Sequence, residues 1–242
     1  MKGVVLAGGL GTRLRPLTSI TNKHLLPVYD RPMIYYPLQT LADAGIQDVM
    51  VVTGGNSAGS FMHLLGDGRE FGFRCLNYAY QTGEGGIAQA IGLARAFVGK
   101  QKFVVILGDN ILQNSIAENV KSFEKQPSGA RILYKRVSDP RDYGVAEILD
   151  GRVVSIVEKP LNPVSDFAVI GVYMYDSCAF DIIDGLKPSR RGEIEVTDLN
   201  NAYIQRGELQ ADEIDGWWSD CGASIENLLE ANNRAAEIRK GN

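Results

Sequence analysis

Histidine is scarce: the 242-residue chain holds only His24 and His63. A zinc site built on two or three histidines is thereby nearly excluded. Cysteine is scarce as well. Cys75, Cys178 and Cys221 are scattered, odd in number and form no C-x-x-C, so the chain reads as a reduced cytosolic protein and not as a disulfide scaffold. Long apolar runs are missing, the longest being of the kind Phe103–Leu107, which excludes a transmembrane helix. Near the N-terminus glycines interrupt Val4–Ala7 at once, so no signal peptide is expected. An excess of positive charge is also missing. Lys and Arg total 25 against 29 Asp and Glu, a net charge of -4, which argues against a general nucleic-acid binder. No internal repeat or low-complexity stretch occurs. The expectation is a cytoplasmic protein without nucleic-acid or membrane partners.

Apolar residues at 45% and charged residues at 22% are close to globular averages, and a chain this long can bury a sizeable core. Short apolar runs at Val4–Ala7, Val49–Thr53, Phe73–Tyr78 and Phe103–Leu107 read as buried strands. Helical spacing separates them at Met33–Ala44, Ser57–Leu65 and Ile87–Phe97. Asp30 is a candidate cap and Pro32 a first-turn residue for the first of these helices. Strand–helix–strand alternation implies a parallel sheet covered by helices on both faces. Further on, Ala130–Val137, Tyr143–Leu149, Val153–Glu158 and Phe167–Tyr175 read as strands, with an Asp150-Gly151 hairpin turn between the middle two. Helices near Ala179–Gly185, Val196–Arg206 and Ser224–Lys240 follow. The pattern favours one α/β domain over 1–242, mostly parallel, with an inserted, partly antiparallel region.

The first strand runs straight into Gly8-Gly9-Leu10-Gly11-Thr12-Arg13. Ligands of open parallel sheets bind beyond the carboxyl ends of the strands, and glycines there let backbone N–H groups approach a phosphate. No Lys-Ser or Lys-Thr follows, so the loop is no P-loop, and Leu14 stands where a dinucleotide fingerprint needs glycine. Arg13 and Lys23 add positive charge. Taken alone, this is equally a turn with solvated basic residues.

Gly3–Arg13 (GVVLAGGLGTR), Asn22–Pro27 (NKHLLP), Leu107–Asn110 (LGDN), Val157–Pro160 (VEKP) and Gly192–Asp198 (GEIEVTD) occur in that order. This series resembles the sugar nucleotidyltransferases, and among them the glucose-1-phosphate thymidylyltransferases, over nearly the whole chain. The resemblance implies a Rossmann-like three-layer nucleotide-diphospho-sugar transferase fold. It implies a nucleotide-binding part at about 1–125, a sugar-binding part at about 126–222 and a C-terminal helix at about 224–240. The reaction it implies joins dTTP (or UTP) to glucose 1-phosphate, giving dTDP-glucose and pyrophosphate, with Mg²⁺ as cofactor, in a homo-oligomer.

Gly108-Asp109-Asn110 ends an apolar strand, which points a carboxylate at the ligand edge of the sheet. Asp220 lies far away in sequence. The resemblance makes Asp109 and Asp220 the metal carboxylates; the plain alternative for Asp109 is a cap on a helix after Asn110. Joining a sugar phosphate to a triphosphate brings two polyanions together, so positioning and charge stabilisation carry the catalysis and no protein nucleophile is required.

By resemblance, Arg13 serves the α-phosphate and leaving pyrophosphate, Lys23 faces the triphosphate, and Gly9, Gly11 and Thr12 belong to the phosphate loop. Gln81 and Gly86 meet the base, backed by Leu6 and Gly8; a Gln carboxamide offers a donor and an acceptor to a pyrimidine edge. Lys159 and Arg191 match holders of the sugar phosphate. Tyr143, Gly144, Glu158, Val169 and Tyr173 match sugar contacts. Trp218 is either a stacking group near sugar or metal or a core residue.

Three positions and one loop depart from the family pattern: Cys221, where Thr is usual, Ile170, Arg15 and the Thr82-Gly83-Glu84 loop. Cys221 reads as a small filler or an oxidisable thiol. The chain ends about twenty residues after Asp220 and so resembles the short form, without the extra C-terminal helices that help longer relatives form a second, regulatory nucleotide site. Alternatives are a uridylyltransferase, a glycosyltransferase on a similar sheet, and a non-catalytic sugar-nucleotide sensor. The phosphate loop and Lys23 argue against the glycosyltransferase, whose donor carries no triphosphate.

Overall fold

The structure, a computed structural model, describes residues 1–240. In chain order, β1 (Lys2–Ala7) leads into the glycine loop, and a short ladder of β2 (Pro27–Val28) and β3 (Arg31–Pro32) precedes α1 (Tyr35–Asp43). The alternation continues through β4 (Asp48–Gly54), α2 (Ala58–Leu65), β5 (Cys75–Gln81), α3 (Ile87–Gly92), α4 (Arg95–Val98) and β6 (Phe103–Leu107). Next come β7 (Asn110–Leu112), α5 (Ala117–Lys125), β8 (Ala130–Arg136), β9 (Gly144–Leu149), β10 (Arg152–Glu158) and β11 (Phe167–Tyr175). The chain closes with α6 (Cys178–Gly185), α7 (Val196–Gln205), β12 (Leu209–Glu213), β13 (Trp218–Asp220) and α8 (Ile225–Lys240).

The main sheet has nine strands. The order β6-β1-β4-β5 is parallel throughout. Strand β11 joins it antiparallel to β6, and carries β8 on its other flank and β9 at its N-terminal half. The register of β11 shifts between Val169 and Tyr173, where it changes partners. Alternate residues of the parallel strands serve two separate cores, as the period of two demands. Val4, Leu6, Met50, Val52, Phe103 and Val105 face one helical layer; Val5, Ala7, Val49, Val51, Val104 and Ile106 face the other. A third cluster packs α8 beneath the glycine loop and includes Leu14, Ile111, Cys221 and Leu228.

Several boundaries differ from the sequence reading for identifiable reasons. Asp30 and Pro32 do not open α1: Pro32 pairs with Pro27 in the small ladder, and the helix starts at Tyr35. The segment 87–97 is two short helices, because the first ends at Gly92. Strand β5 lies at Cys75–Gln81, later than the apolar run Phe73–Tyr78, and pairs with β4 residue by residue. Asp109 caps no helix after Asn110, since Asn110–Leu112 is a strand paired with β13. Asp150 and Gly151 both have positive φ, 49° and 74°, as a tight hairpin turn between β9 and β10 requires. Among the described residues no helix is long and apolar enough to cross a membrane.

Candidate active site

Two adjoining cavities open at the carboxyl edge of the parallel strands, of about 380 Å³ and about 230 Å³. The first is built on the turn after β1. Gly9 and Gly11 take φ of 88° and 60°, conformations that only glycine adopts freely. A Cβ on Gly11 would also sit 3.0 Å from Thr18 and 3.1 Å from Lys23, so this glycine lets the loop fold onto the next segment. Leu14, fully buried, anchors the far end of the loop. Leu6, Gly8, Gly9, Gly11, Thr12 and Arg13 all line this cavity, with Lys23, Gln81, Gly86 and Asp109 across from them.

The second cavity is lined by Tyr143, Gly144, Glu158, Lys159, Val169 and Tyr173, and also by Arg191, Trp218 and Asp220. Arg13, Ile87, Leu107 and Glu193 line both cavities and form their common wall. The Glu158 carboxylate accepts hydrogen bonds from Thr197 Oγ1 at 2.5 Å and Arg191 Nη2 at 3.3 Å. Lys159 has φ of 44°, a left-handed conformation that costs a non-glycine residue on the order of 1 kcal/mol, and its N–H donates to the Tyr143 carbonyl at 3.0 Å. Trp218 belongs to the core and also lines the cavity. Its ring is buried beside Tyr143, with centroids 5.2 Å apart, and lines the cavity, while its Nε1 donates to Asn110 at 2.7 Å.

The two acids come together through topology. Strands β7 and β13 pair antiparallel with Asp220 opposite Asn110, and the Cys221 N–H donates to the Asp109 carbonyl at 2.9 Å. Lys23 Nζ reaches Asp109 Oδ2 at 2.5 Å. It is delivered there by a short turn that Asn22 ties to β1: the Asn22 carboxamide accepts from His24 N at 2.9 Å and donates to the Ala7 carbonyl at 3.3 Å.

The nucleotidyl transferase family model matches residues 2–238. The chain belongs to this family. It is 45% identical to a glucose-1-phosphate thymidylyltransferase of Neisseria meningitidis, covering 96% of this chain and 81% of that one. It is 43% identical to that of Mycolicibacterium smegmatis, covering 100% and 85%. Among solved structures, a candidate glucose-1-phosphate thymidylyltransferase of Bacillus anthracis in complex with a sucrose matches with a TM-score of 0.93 and 48% identity over 97% of this chain and 95% of that one. A UDP-glucose pyrophosphorylase complexed with UDP-glucose matches with a TM-score of 0.85 and 28% identity over 98% of both chains.

Charge in this nucleotidyl transferase is concentrated where the cavities meet. Burial alone would raise the Asp109 carboxyl and lower the Lys23 ammonium. Their mutual attraction outweighs both effects, holding Asp109 below the usual carboxylate range and Lys23 above its ordinary value. Burial, and next the Asp109 carboxylate, push Asp220 up to about 7. One ammonium therefore serves the buried Asp109 and the half-buried Asp220. Hard carboxylate oxygens from two aspartates are a donor set that suits Mg²⁺, which takes its remaining ligands from water and phosphate. By charge and donor type, Asp109 and Asp220 fit a divalent cation.

Arg191 sits differently from a free phosphate ligand. Its guanidinium meets Glu195 at 2.8 Å, Glu158 at 3.3 Å and Glu193 at 3.7 Å. Among the described residues Arg13 and Lys159 line the second cavity without an ion pair. Cys221 is fully buried in the α8 cluster and burial raises its thiol, so it is a small apolar filler.

Some site residues escaped the sequence reading although they lie inside its motifs. Asn110 accepts from the Gly171 N–H at 3.0 Å as well as from Trp218, and donates to Asp109 Oδ1 at 3.2 Å. Thr197 and Glu195 of GEIEVTD hold Glu158 and Arg191. His24 of NKHLLP packs where Gly108 has no side chain; a Cβ there would be 2.7 Å from its ring. Their signal was membership of the motif, with no local pattern to separate ligand contacts from supports.

Burial, and next the Lys23 ammonium, lower His24 from 6.5 to about 3, and its Nδ1 faces the Asn22 carboxamide oxygen at 2.7 Å. Folded His24 therefore stays neutral at a pH where the unfolded chain takes up a proton, so stability falls as pH drops from about 6.5 toward 3. In the metal-free protein, the unfolding free energy of wild type relative to His24→Gln is expected to fall by about 2 kcal/mol between about pH 7 and pH 5. Urea titrations at the two pH values check this; a constant difference would contradict it.

A Cβ on Gly222 would overlap Asp109 Oδ2 and lie 2.7 Å from Lys23 Nζ. Gly222→Ala should lower kcat for nucleotidyl transfer by about a hundredfold through misplacement of this pair. Near-normal turnover would show that this contact does not position the pair.

Proposed function

We propose that the chain transfers a thymidylyl group from dTTP to α-D-glucose 1-phosphate, giving dTDP-glucose and pyrophosphate. One observation carries the reading. Arg13 lines both cavities, Asp109 lines the first and Asp220 the second, and the pairing of Asp220 with Asn110 brings the two acids next to each other. The glucose-1-phosphate thymidylyltransferases among its relatives, similar over nearly the whole chain, support the choice of substrates. The larger cavity then takes the triphosphate and the smaller takes the sugar phosphate. Residues of about 1–125 form the nucleotide part and those of about 126–222 the sugar part. Three unpaired cysteines suit a cytoplasmic setting.

In the reaction a phosphate oxygen of glucose 1-phosphate attacks the α-phosphorus in line. The new P–O bond forms as the bond between the α-phosphorus and its bridging oxygen breaks, and that electron pair leaves on pyrophosphate. No protein nucleophile is needed. Backbone N–H groups of the Gly8–Thr12 loop, other than that of Leu10, which donates to Glu84 at 3.1 Å, orient the triphosphate, and Arg13 stabilises charge that accumulates on the α-phosphate and the leaving group. Lys23 adds a second cation, half-buried and held by Asp109. Lys159 faces the sugar phosphate, while Arg191 orients Glu158 to accept sugar hydroxyls. Mg²⁺ held by Asp109 and Asp220 would neutralise triphosphate charge. The remaining steps are positioning by the chain's own residues, which converts an encounter of two anions into an oriented one.

A second reading uses UTP, favoured by the likeness to UDP-glucose pyrophosphorylase. The two bases differ by one methyl, which a pocket distinguishes by only about 1–3 kcal/mol.

Pyrophosphate release from dTTP, and separately from UTP, with glucose 1-phosphate and Mg²⁺ tests the assignment. Release with dTTP at the higher kcat/KM is expected; no release with either would refute the transferase reading. Arg13→Ala should lower kcat by at least about a hundredfold while the KM for glucose 1-phosphate changes less than about threefold. Equal losses in the two constants would contradict its assigned role.

A further inference from the structure

We propose that Gln89 is a positioning residue that fixes the Gln81 carboxamide with its oxygen toward the base, selecting pyrimidines that carry an N3–H and rejecting cytosine. The inference rests on the nucleotide reading of the larger cavity.

Gln81 is buried at the end of β5, where its backbone pairs with Gly54. A carboxamide offers two N–H donors and one accepting oxygen, so its partners decide what it shows a ligand. Gln81 Nε2 lies 3.2 Å from the Gly86 carbonyl oxygen and 2.9 Å from Gln89 Oε1. A backbone carbonyl only accepts, so Gly86 requires the nitrogen on its side. Gln89 takes the second hydrogen. Both donors are thus occupied inside the protein, and Gln81 Oε1 lies over Gly8, 3.2 Å from where a Cβ would stand. Gln81 and Gly8 line the same cavity. What Gln81 presents to it is an acceptor alone.

The seat of Gln89 is equally defined. A Cβ on Gly85 would overlap the Gln89 carboxamide, and the φ of Gly85 is outside the left-handed region, so this glycine supplies space and no special conformation. The start of α3 is clamped to the GEIEVTD segment. Ala88 N donates to the Ile194 carbonyl at 3.1 Å, and Ile194 N donates to the Gly85 carbonyl at 2.9 Å. A Cβ on Gly86 would lie 2.5 Å from the Ile194 oxygen. The helix that carries Gln89 cannot shift without breaking these contacts.

The chemistry then separates the bases. Thymine and uracil donate from N3–H and complement a lone accepting oxygen. Cytosine has an unprotonated N3, which brings a second acceptor against the first. The ring methyl does not enter this contact, so Gln89 contributes nothing to the choice between dTTP and UTP.

The test measures kcat/KM for dTTP and for dCTP, each with glucose 1-phosphate and Mg²⁺. Wild type should favour dTTP by at least about a thousandfold, because a buried acceptor left facing an acceptor is costly. Gln89→Leu should shrink that ratio by about tenfold, raising the KM for dTTP with kcat kept, since one of two restraints on Gln81 is removed. Gly85→Ala should do the same by displacing an unaltered Gln89. Gln89→Glu retains an accepting oxygen and should restore the wild-type ratio. A ratio unchanged in both Gln89→Leu and Gly85→Ala would overturn the proposal, as would a Glu variant no more selective than the Leu variant. Wild type inactive with every pyrimidine triphosphate would refute the nucleotide reading itself, and this inference with it.

Discussion

Three residues of β7 hydrogen-bond antiparallel to three residues of β13, and the site depends on that pairing. It brings the Asp220 backbone opposite Asn110, next to Asp109, although the intervening chain builds half the sheet. The consequence is electrostatic. A buried acid and a half-buried one lie close to one ammonium, and desolvation, reinforced by Asp109, drives Asp220 up to about 7 while Lys23 keeps Asp109 ionised. An arrangement of this kind is costly for an isolated protein, because a desolvated acid without a matching cation is unfavourable. Under the proposed function the compensating charge is the ligand's, which places the chemistry and the instability at the same point.

The surroundings hold that point in place. Asn110 satisfies Gly171, Trp218 and Asp109 together, so the irregular stretch of β11, the indole ring and the acid share one support. Gly108 and Gly222 are small where His24, Lys23 and Asp109 must approach. On the sugar side, Arg191 is surrounded by Glu158, Glu193 and Glu195 and acts as a brace for Glu158. Among the described residues, Arg13 and Lys159 line the second cavity without an ion pair. Loops line much of both cavities, and the parallel strands supply their rigid base.

The legible part of the fold was the part with a period. Runs such as Phe103–Leu107 are buried on both faces and announce themselves as strands, and the Asp150-Gly151 turn follows from the φ that it needs. Strands β7 and β13, three residues each, have no period to read, and β12 is half exposed and polar. The glycine loop was visible because φ of 88° and 60° demands glycine at Gly9 and Gly11. That Asp109 and Asp220 belong to one site was not visible in composition or spacing; it is a product of strand pairing, and only the ordered motifs pointed to it. Supports such as Asn110, Thr197 and Gln89 stayed hidden because side-chain to side-chain hydrogen bonds leave no trace in spacing.

The account stands on Asp109 and Asp220 acting as one charge site. A double-mutant cycle with Asp109→Asn, Asp220→Asn and the pair, read as kcat/KM for nucleotidyl transfer, tests that directly. The prediction is strong non-additivity: each single change costs at least about a hundredfold and the double change costs little more than the worse single one. Losses that multiply independently would show that the two acids serve separate sites.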